Sequence, residues 1–299
     1  MVGPEHTAPG CRRTAVACLL ALAACTVQSS TKPAVLRFSA IPDANTTELA
    51  EKYDVVARYL AETLGIPVEY VPAADYSASV EAFRNGDVQL AWFGGLTGAQ
   101  ARAAVPGARA IAQGRIDPAF KSYFVAHAST ALTLSETFPM ELAGMRFTFG
   151  SDTSTSGRLM PEYFIRQNTQ QSPPEFFGAP NTYSGNHDNT AKLVEAGTFQ
   201  AGALSYKRYD AMVAEGLLEP ELCRVIWVTP EYPDYNWTAH PVLDERFGPG
   251  TIDRLQAALV AARDPALLAA MQREEGLIEA TNADFQPIHD IAVELEFLR

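Results

Sequence analysis

The chain has 299 residues, 47% hydrophobic and 19% charged, which is enough apolar material for a folded core and excludes an intrinsically disordered protein. Its formal net charge is −12. Such a field repels nucleic acid, so any anionic ligand must be held by local donors rather than by overall charge.

The first thirty residues read as a targeting segment. Arg12-Arg13 is followed by an apolar run over residues 14–24 that ends Leu22-Ala23-Ala24-Cys25. A positive start, a short apolar stretch and small residues before a cut describe a secretory signal, and the run is too short to span a bilayer. Cys directly after Leu-Ala-Ala resembles the bacterial lipoprotein signal. It implies a signal peptide over residues 1–24, lipid on Cys25 and a flexible tether over residues 25–33. Ordinary secretion with an incidental Cys25 is the alternative. Cleavage removes Glu5, Arg12 and Arg13, one net positive charge, which takes −12 to −13. It also removes Cys11 and Cys18. With Cys25 acylated, only Cys223 remains, so no intrachain disulfide is expected. No cysteine cluster or His-x-x-x-His spacing suggests a metal site, and no cofactor motif appears.

From there strand and helix patterns alternate, which predicts an α/β protein. Residues 35–41 read as a strand. Asn45 or Thr46 caps a helix with apolar positions Leu49, Tyr53, Val56, Leu60 and Leu64, ended by Gly65. A strand follows over 68–71, then a helix capped by Asp75 and closed by Asn85-Gly86. The next strand, 88–93, is followed by Gly94-Gly95 and a helix over 96–104, and residues 108–113 give a fourth strand. Ligands in such sheets sit at the carboxyl ends of strands, here beside residues 42–46, Asp75-Tyr76 and residues 93–97.

A second lobe is expected from Ser122. Residues 123–127 and 146–149 read as strands, 191–195 as a helix preceded by Asn186-His187-Asp188-Asn189-Thr190, 201–204 as a buried strand and 206–215 as a helix. Residues 224–228 are expected to return to the first lobe, and the stretches 251–262, 265–273 and 283–297 to be helical. This divides the mature chain into one lobe of residues 34–121 plus 229–299 and a second of residues 122–228. The two crossings make a clamshell.

The most informative stretch lies between residues 147 and 161. After the apolar Phe147-Thr148-Phe149 the chain breaks at Gly150, and Ser151, Thr153, Ser154, Thr155 and Ser156 all carry hydroxyls before Gly157-Arg158-Leu159. This reads as strand, polar loop and helix start. A helix start offers free N–H groups and the positive end of the dipole, where anions bind. A single Ser or Thr cap is the plainer reading, and five hydroxyls exceed what a cap needs.

These residues carry a family resemblance. Asp75-Tyr76, residues 82–94 ending Ala91-Trp92-Phe93-Gly94, Ser154-Thr155-Ser156-Gly157-Arg158-Leu159-Met160-Pro161 and His187 together resemble the phosphonate-binding family of ABC-importer solute-binding lipoproteins. Within it, Trp92 to Gly98 and Gly150 to Ser156 are most similar to the group labelled selenate-binding. The resemblance covers nearly the whole mature chain. It implies a type II periplasmic-binding fold, two α/β lobes with a hinge and a ligand cleft between them. It implies capture of a small tetrahedral oxyanion of the selenate, selenite, phosphonate, phosphite or phosphate class, by a monomer that delivers it to ABC permease subunits and is held at the membrane by lipid on Cys25.

The resemblance also assigns roles. Ser154, Thr155 and Ser156 match oxyanion donors, Tyr76 a donor from the opposite lobe, and His187 a further donor. Phe93 stands where the family has a second tyrosine. Lys207 falls near a glutamate that holds an amine-bearing ligand, and Asp234 near a second carboxylate. Asp234 lining the cleft favours a ligand that still carries a proton. Asp234 neutralised by Lys207 admits a full dianion. Each residue also has a plain structural reading: His187 as part of a helix cap, Tyr76 as a half-buried helix residue, Lys207 on a solvated face, Asp234 supporting a turn, Asp43 facing the cleft or capping its loop, and Trp92 in core or hinge packing. An enzyme is the other class of reading. Ser154, His187 and Asp188 could form a triad, although no Gly-x-Ser-x-Gly elbow is present. A pyrimidine-synthase-like member of the same fold is disfavoured by the lipoprotein signal.

Overall fold

The computed structural model describes residues 1–6 and 34–298, so Cys25, most of the signal segment and the whole of the tether lie outside the described residues. The first strand, β1 (Leu36–Ala40), leads to α1 (Thr46–Leu64), whose cap is Asn45. Its side chain accepts from the N–H groups of Thr47 and Glu48, and Gly65 ends the helix at φ 68°. Then come β2 (Val68–Tyr70), α2 (Tyr76–Arg84), β3 (Leu90–Phe93), α3 (Gly95–Ala104) and β4 (Arg109–Gly114).

The chain crosses over at Phe120 into β5 (Ser122–His127) and β6 (Phe147–Thr148). A π-helical turn over Thr155–Leu159 runs into α4 (Met160–Thr169). Next are α5 (Pro173–Phe177), α6 (His187–Glu195), β7 (Ala201–Ser205), α7 (Tyr206–Ala214) and β8 (Cys223–Val228). The return leg gives β9 (Asn236–Ala239), α8 (Val242–Phe247), α9 (Thr251–Ala261), α10 (Pro265–Ala270), β10 (Leu277–Glu279) and α11 (Gln286–Glu294).

Ten strands form two sheets among the described residues. The six-stranded sheet has the order β10-β4-β9-β3-β1-β2, and the four-stranded sheet the order β6-β7-β5-β8. Each sheet with its helices is one lobe. β1 pairs in parallel with β2 and β3, as expected of consecutive strand–helix units. β9 enters antiparallel between β3 and β4, with Trp237 opposite Trp92. Between the sheets, Phe120 and Tyr232 exchange both backbone hydrogen bonds, at 2.9 and 3.0 Å, so the two connecting segments run side by side.

Two expectations need correction, and one strand was not expected. Residues 224–228 do not return to the first lobe: β8 is an edge strand of the four-stranded sheet, paired antiparallel with β5. The expected C-terminal helices form, and between the second and third of them lies a strand the sequence did not announce, β10, which pairs with β4. The helix expected from Ala191 begins four residues earlier at His187, because Asn186 accepts the Asn189 N–H at 2.8 Å and caps it.

Candidate ligand-binding site

Four helical segments start at one place between the lobes. Tyr76 opens α2, Gly95 opens α3, Thr155 opens the π turn and His187 opens α6. The local sequence builds each start. Asp75 accepts the Ala78 N–H at 2.7 Å, Ser154 the Gly157 N–H at 3.0 Å, and Asn186 caps α6 as above. Gly94 supplies an extended residue with no side chain. The positive ends of the helices therefore share one volume, and an anion there needs no lysine or arginine.

Direct contacts tie these starts together. The Thr155 hydroxyl accepts the Leu96 N–H at 3.0 Å across the cleft. The Ser156 hydroxyl lies 3.5 Å from His187 Nε2. His187 N–H donates to the Asp43 carbonyl at 3.2 Å, again between lobes. Asp234 Oδ1 accepts the Gly95 N–H at 2.8 Å. The approach is close: a Cβ on Gly94 would stand 2.9 Å from Thr155 Oγ1 and 3.2 Å from Asp234 Oδ1. One on Gly157 would stand 3.3 Å from His187 Cε1.

The cap reading and the donor reading of the hydroxyl row hold together. A hydroxyl has one proton and two lone pairs. Ser154 and Thr155 each spend a lone pair on a backbone N–H and keep a proton to donate, that of Thr155 facing Asp234. The π turn fixes the row: Leu159 N–H reaches the Ser154 carbonyl at 3.0 Å and Met160 N–H reaches that of Thr155, one residue wider than an α-turn. Its Arg158 turns away from the site. It pairs with Glu162 and lies against the rings of Phe149, 4.4 Å from the centroid, and Phe297, 5.0 Å away.

All of Ser154, Thr155, Ser156, Tyr76, His187 and Asp234 are buried. Tyr76 faces Ser154, yet its hydroxyl has no hydrogen-bond partner, and the same is true of Asp234 Oδ2. Buried polar atoms left unpaired cost free energy unless a ligand meets them. Burial pushes the Tyr76 phenol well above its ordinary value, so it stays a protonated donor. Burial holds His187 down at about 4, neutral at physiological pH. Its Nδ1 accepts the Ser205 N–H at 3.4 Å, which leaves the proton on Nε2, on the side of Ser156. Burial raises Asp234 to about 7, against the pull of the Gly95 N–H and the Thr155 hydroxyl. The set is thus uncharged donors plus one carboxyl that can hold a proton.

Lys207 and Phe93 stand outside this donor set. Lys207 does not neutralise Asp234; it pairs with Glu274 at 3.0 Å, since α7 carries it toward the turn after α10. Phe93 is fully buried against Phe83 of α2, with ring centroids 5.6 Å apart, because alternation along β3 sends it into the core. Its neighbour Trp92 points the other way and stacks on Tyr235 at 5.5 Å. Trp92, Asp43, Tyr235, Ser205 and Arg273 border a small cavity beside His187, with free volume of about 10 Å³, room for one water. Asp43 faces this cleft, and its carboxylate accepts the Tyr235 hydroxyl at 2.8 Å.

Sequence reasoning missed two arginines. Arg208 forks onto Asp188, at 2.5 Å from Nε and 2.9 Å from Nη2, and reaches Glu48 of α1 in the other lobe at 3.2 Å. Asp188 also accepts the Asn45 N–H of the first lobe at 3.1 Å. Asp188 is therefore committed to an ion pair within its own lobe and to a backbone N–H of the other, and no triad forms with Ser154. Arg273 is taken up below. Among the described residues, no group of three or more His, Cys, Asp or Glu could hold a metal ion, and no helix is long and apolar enough to cross a membrane.

Comparison with known proteins fits this geometry. The family model for periplasmic phosphonate substrate-binding proteins of ABC transporters matches residues 38–285. A probable ABC transporter phosphite-binding protein, PhnD1 of Prochlorococcus marinus (strain MIT 9301), is 36% identical over 273 residues, 89% of this chain and 92% of that protein. The phosphate-import protein PhnD of Mycolicibacterium smegmatis is 27% identical, over 93% of this chain and 94% of that protein. The structure of P. marinus PhnD1 in complex with methylphosphonate superposes with a TM-score of 0.83 at 35% identity, covering 88% of this chain and 99% of that one. A binding-protein component of an ABC phosphonate transporter from Pseudomonas aeruginosa, at 18% identity and a TM-score of 0.73 over 87% of this chain and 86% of that one, shares the fold. That fold is the type II periplasmic-binding fold, two α/β lobes with the cleft between them.

Proposed function

The chain belongs to the family of periplasmic phosphonate substrate-binding proteins of ABC transporters, and from that premise we propose that it captures a small phosphorus oxyanion: phosphite, phosphate or methylphosphonate. The observation that carries this reading is Asp234, a buried carboxyl with an unpaired Oδ2 beside a set of neutral donors. Selenate and sulfate are fully deprotonated near neutral pH, so they give Asp234 no proton to accept and are tolerated beside it only while its own carboxyl stays protonated. Monoprotonated phosphorus oxyanions still carry an O–H, which Asp234 accepts. Ser154, Thr155 and Ser156 hold the oxygens from one lobe, Tyr76 from the other, and the neutral His187 donates through Nε2. The ligands of the related proteins described above, phosphite, phosphate and methylphosphonate, support the same class.

Capture is closure of one lobe on the other. The lobe boundaries we propose are residues 34–121 with 229–299, and 122–228, with the paired Phe120 and Tyr232 segments as hinge. Closing strips water from the anion and strengthens each hydrogen bond to it. The protein acts outside the cytoplasm and hands its ligand to ABC permease subunits. Lipid on Cys25 is the anchor we propose. No catalytic step is needed.

Titration calorimetry with phosphite, phosphate, methylphosphonate, selenate and sulfate tests the reading. Tight binding of at least one phosphorus oxyanion, with selenate and sulfate at least tenfold weaker, is expected. Selenate binding tighter than all three phosphorus ligands overturns it.

A further inference from the structure

The cavity bordered by Arg273 begins where the donor set ends. Ser205 holds His187 through Nδ1, Asp43 holds its backbone N–H, and Tyr235 directly follows Asp234; all three also line the cavity. A tetrahedral ligand with its oxygens on the donors has one remaining substituent, and this is the space adjoining the donors that can receive it. We propose that Arg273 is a specificity-determining residue that limits that substituent to the size of hydrogen, hydroxyl or methyl; this rests on the phosphorus-oxyanion reading above.

Three observations make Arg273 a fixed wall. It is buried, with Nε donating to Asp117 Oδ2 at 2.8 Å and Nη2 lying 2.8 Å from Oδ1. Asp117 is itself held by the Gly114 N–H at 2.7 Å. The guanidinium is packed on the rings of Tyr235 at 4.7 Å, Trp92 at 5.1 Å and Phe120 at 5.9 Å. An arginine fixed at both edge and face does not swing aside as a free surface side chain would. With free volume of about 10 Å³ in front of it, a longer chain must displace the wall. The charge reinforces the limit, since Lys207 and Arg208 also border this cavity. Asp43 is the carboxylate on the opposite side, and it is committed to Tyr235.

The test is calorimetry across phosphite, methyl-, ethyl- and propylphosphonate. Wild type should lose at least tenfold in affinity between methyl- and propylphosphonate. In Asp117→Asn/Arg273→Ala, which removes both charges so that no buried carboxylate is stranded, the propyl-to-methyl affinity ratio should rise at least tenfold. An unchanged ratio in a variant that still binds methylphosphonate overturns the proposal. If the double variant does not fold by circular dichroism, the wild-type series decides: equal affinity for methyl- and propylphosphonate overturns it. Wild type binding none of these four and no phosphate overturns the phosphorus reading itself, a different outcome from a flat chain-length series.

Discussion

Thr155 and Leu96 are joined across the cleft, the Thr155 hydroxyl accepting the Leu96 N–H at 3.0 Å. One atom thus serves two purposes: its lone pair satisfies the start of α3, and its proton can go to Asp234 or to a ligand. Thr155→Val keeps the shape, strands the Leu96 N–H and removes the donor. Ser154→Ala combined with Thr155→Ala removes two donors, each on the scale of roughly 1.5–3 kcal/mol to a charged partner. Calorimetry should show phosphite or methylphosphonate affinity falling at least tenfold in the double variant. Unchanged affinity would remove the hydroxyl row from the site.

Asp234 and His187 titrate in opposite senses over the same pH window. Asp234 rises from 3.8 to about 7, so the folded protein holds a proton there that the unfolded chain has lost, and stability declines as pH climbs from about 4 to 7. His187 falls from 6.5 to about 4, so the unfolded chain binds the extra proton, and stability declines as pH drops from 6.5 toward 4. Each slope is at most about 1.4 kcal/mol per pH unit, and in wild type they oppose each other. Relative to wild type, Asp234→Asn should therefore gain stability with rising pH between 4 and 6.5, and His187→Gln should lose it. Thermal melts of ligand-free protein from pH 4 to 8 measure both. Parallel curves for the three proteins would show that neither group titrates as its burial dictates.

How much of this was readable before the structure depends on distance along the chain. Caps at Asn45, Asp75 and Asn186 and the apolar stripe of α1 are local, and the helices they start carry Tyr76 and His187 to the site. β9 was hidden because Asn236 and Thr238 break its apolar pattern; both are buried and met by Arg102, at 3.1 and 3.2 Å. β10 has only three residues between helices. Arg273 reads locally as the exposed end of a helix in Arg273-Glu274-Glu275, and only Asp117, 156 residues earlier, accounts for its burial. The ion pair of Lys207 was hidden for the same reason, its partner Glu274 lying 67 residues away. Residue type announced the donors, whereas the cavity wall and the ion pairs across the cleft came from tertiary pairing.

Arg208 should govern how long the lobes stay closed. It grips Asp188 with two nitrogens and touches Glu48 on the opposite lobe, and this forked geometry is one that lysine cannot reproduce. Arg208→Lys should raise the ligand off-rate several-fold while the on-rate stays within about twofold, as expected when closed-state contacts weaken. Stopped-flow fluorescence, reading Trp92 beside the cavity, separates the two rates. An effect on the on-rate alone would place Arg208 in steering rather than in holding the lobes together.

Gly94 tests closure itself. Its φ of −72° suits any residue, so alanine there introduces no backbone strain. The added methyl would meet Thr155 Oγ1 at 2.9 Å and Asp234 Oδ1 at 3.2 Å. Thr155 belongs to the other lobe, so a slight opening relieves the contact there without disturbing either core. Gly94→Ala should therefore retain most of its thermal stability, lose at least tenfold in oxyanion affinity, and keep a larger radius of gyration by small-angle scattering when ligand is added. A variant that compacts on ligand addition as wild type does would show that the lobes close without the close approach of Gly94 to Thr155.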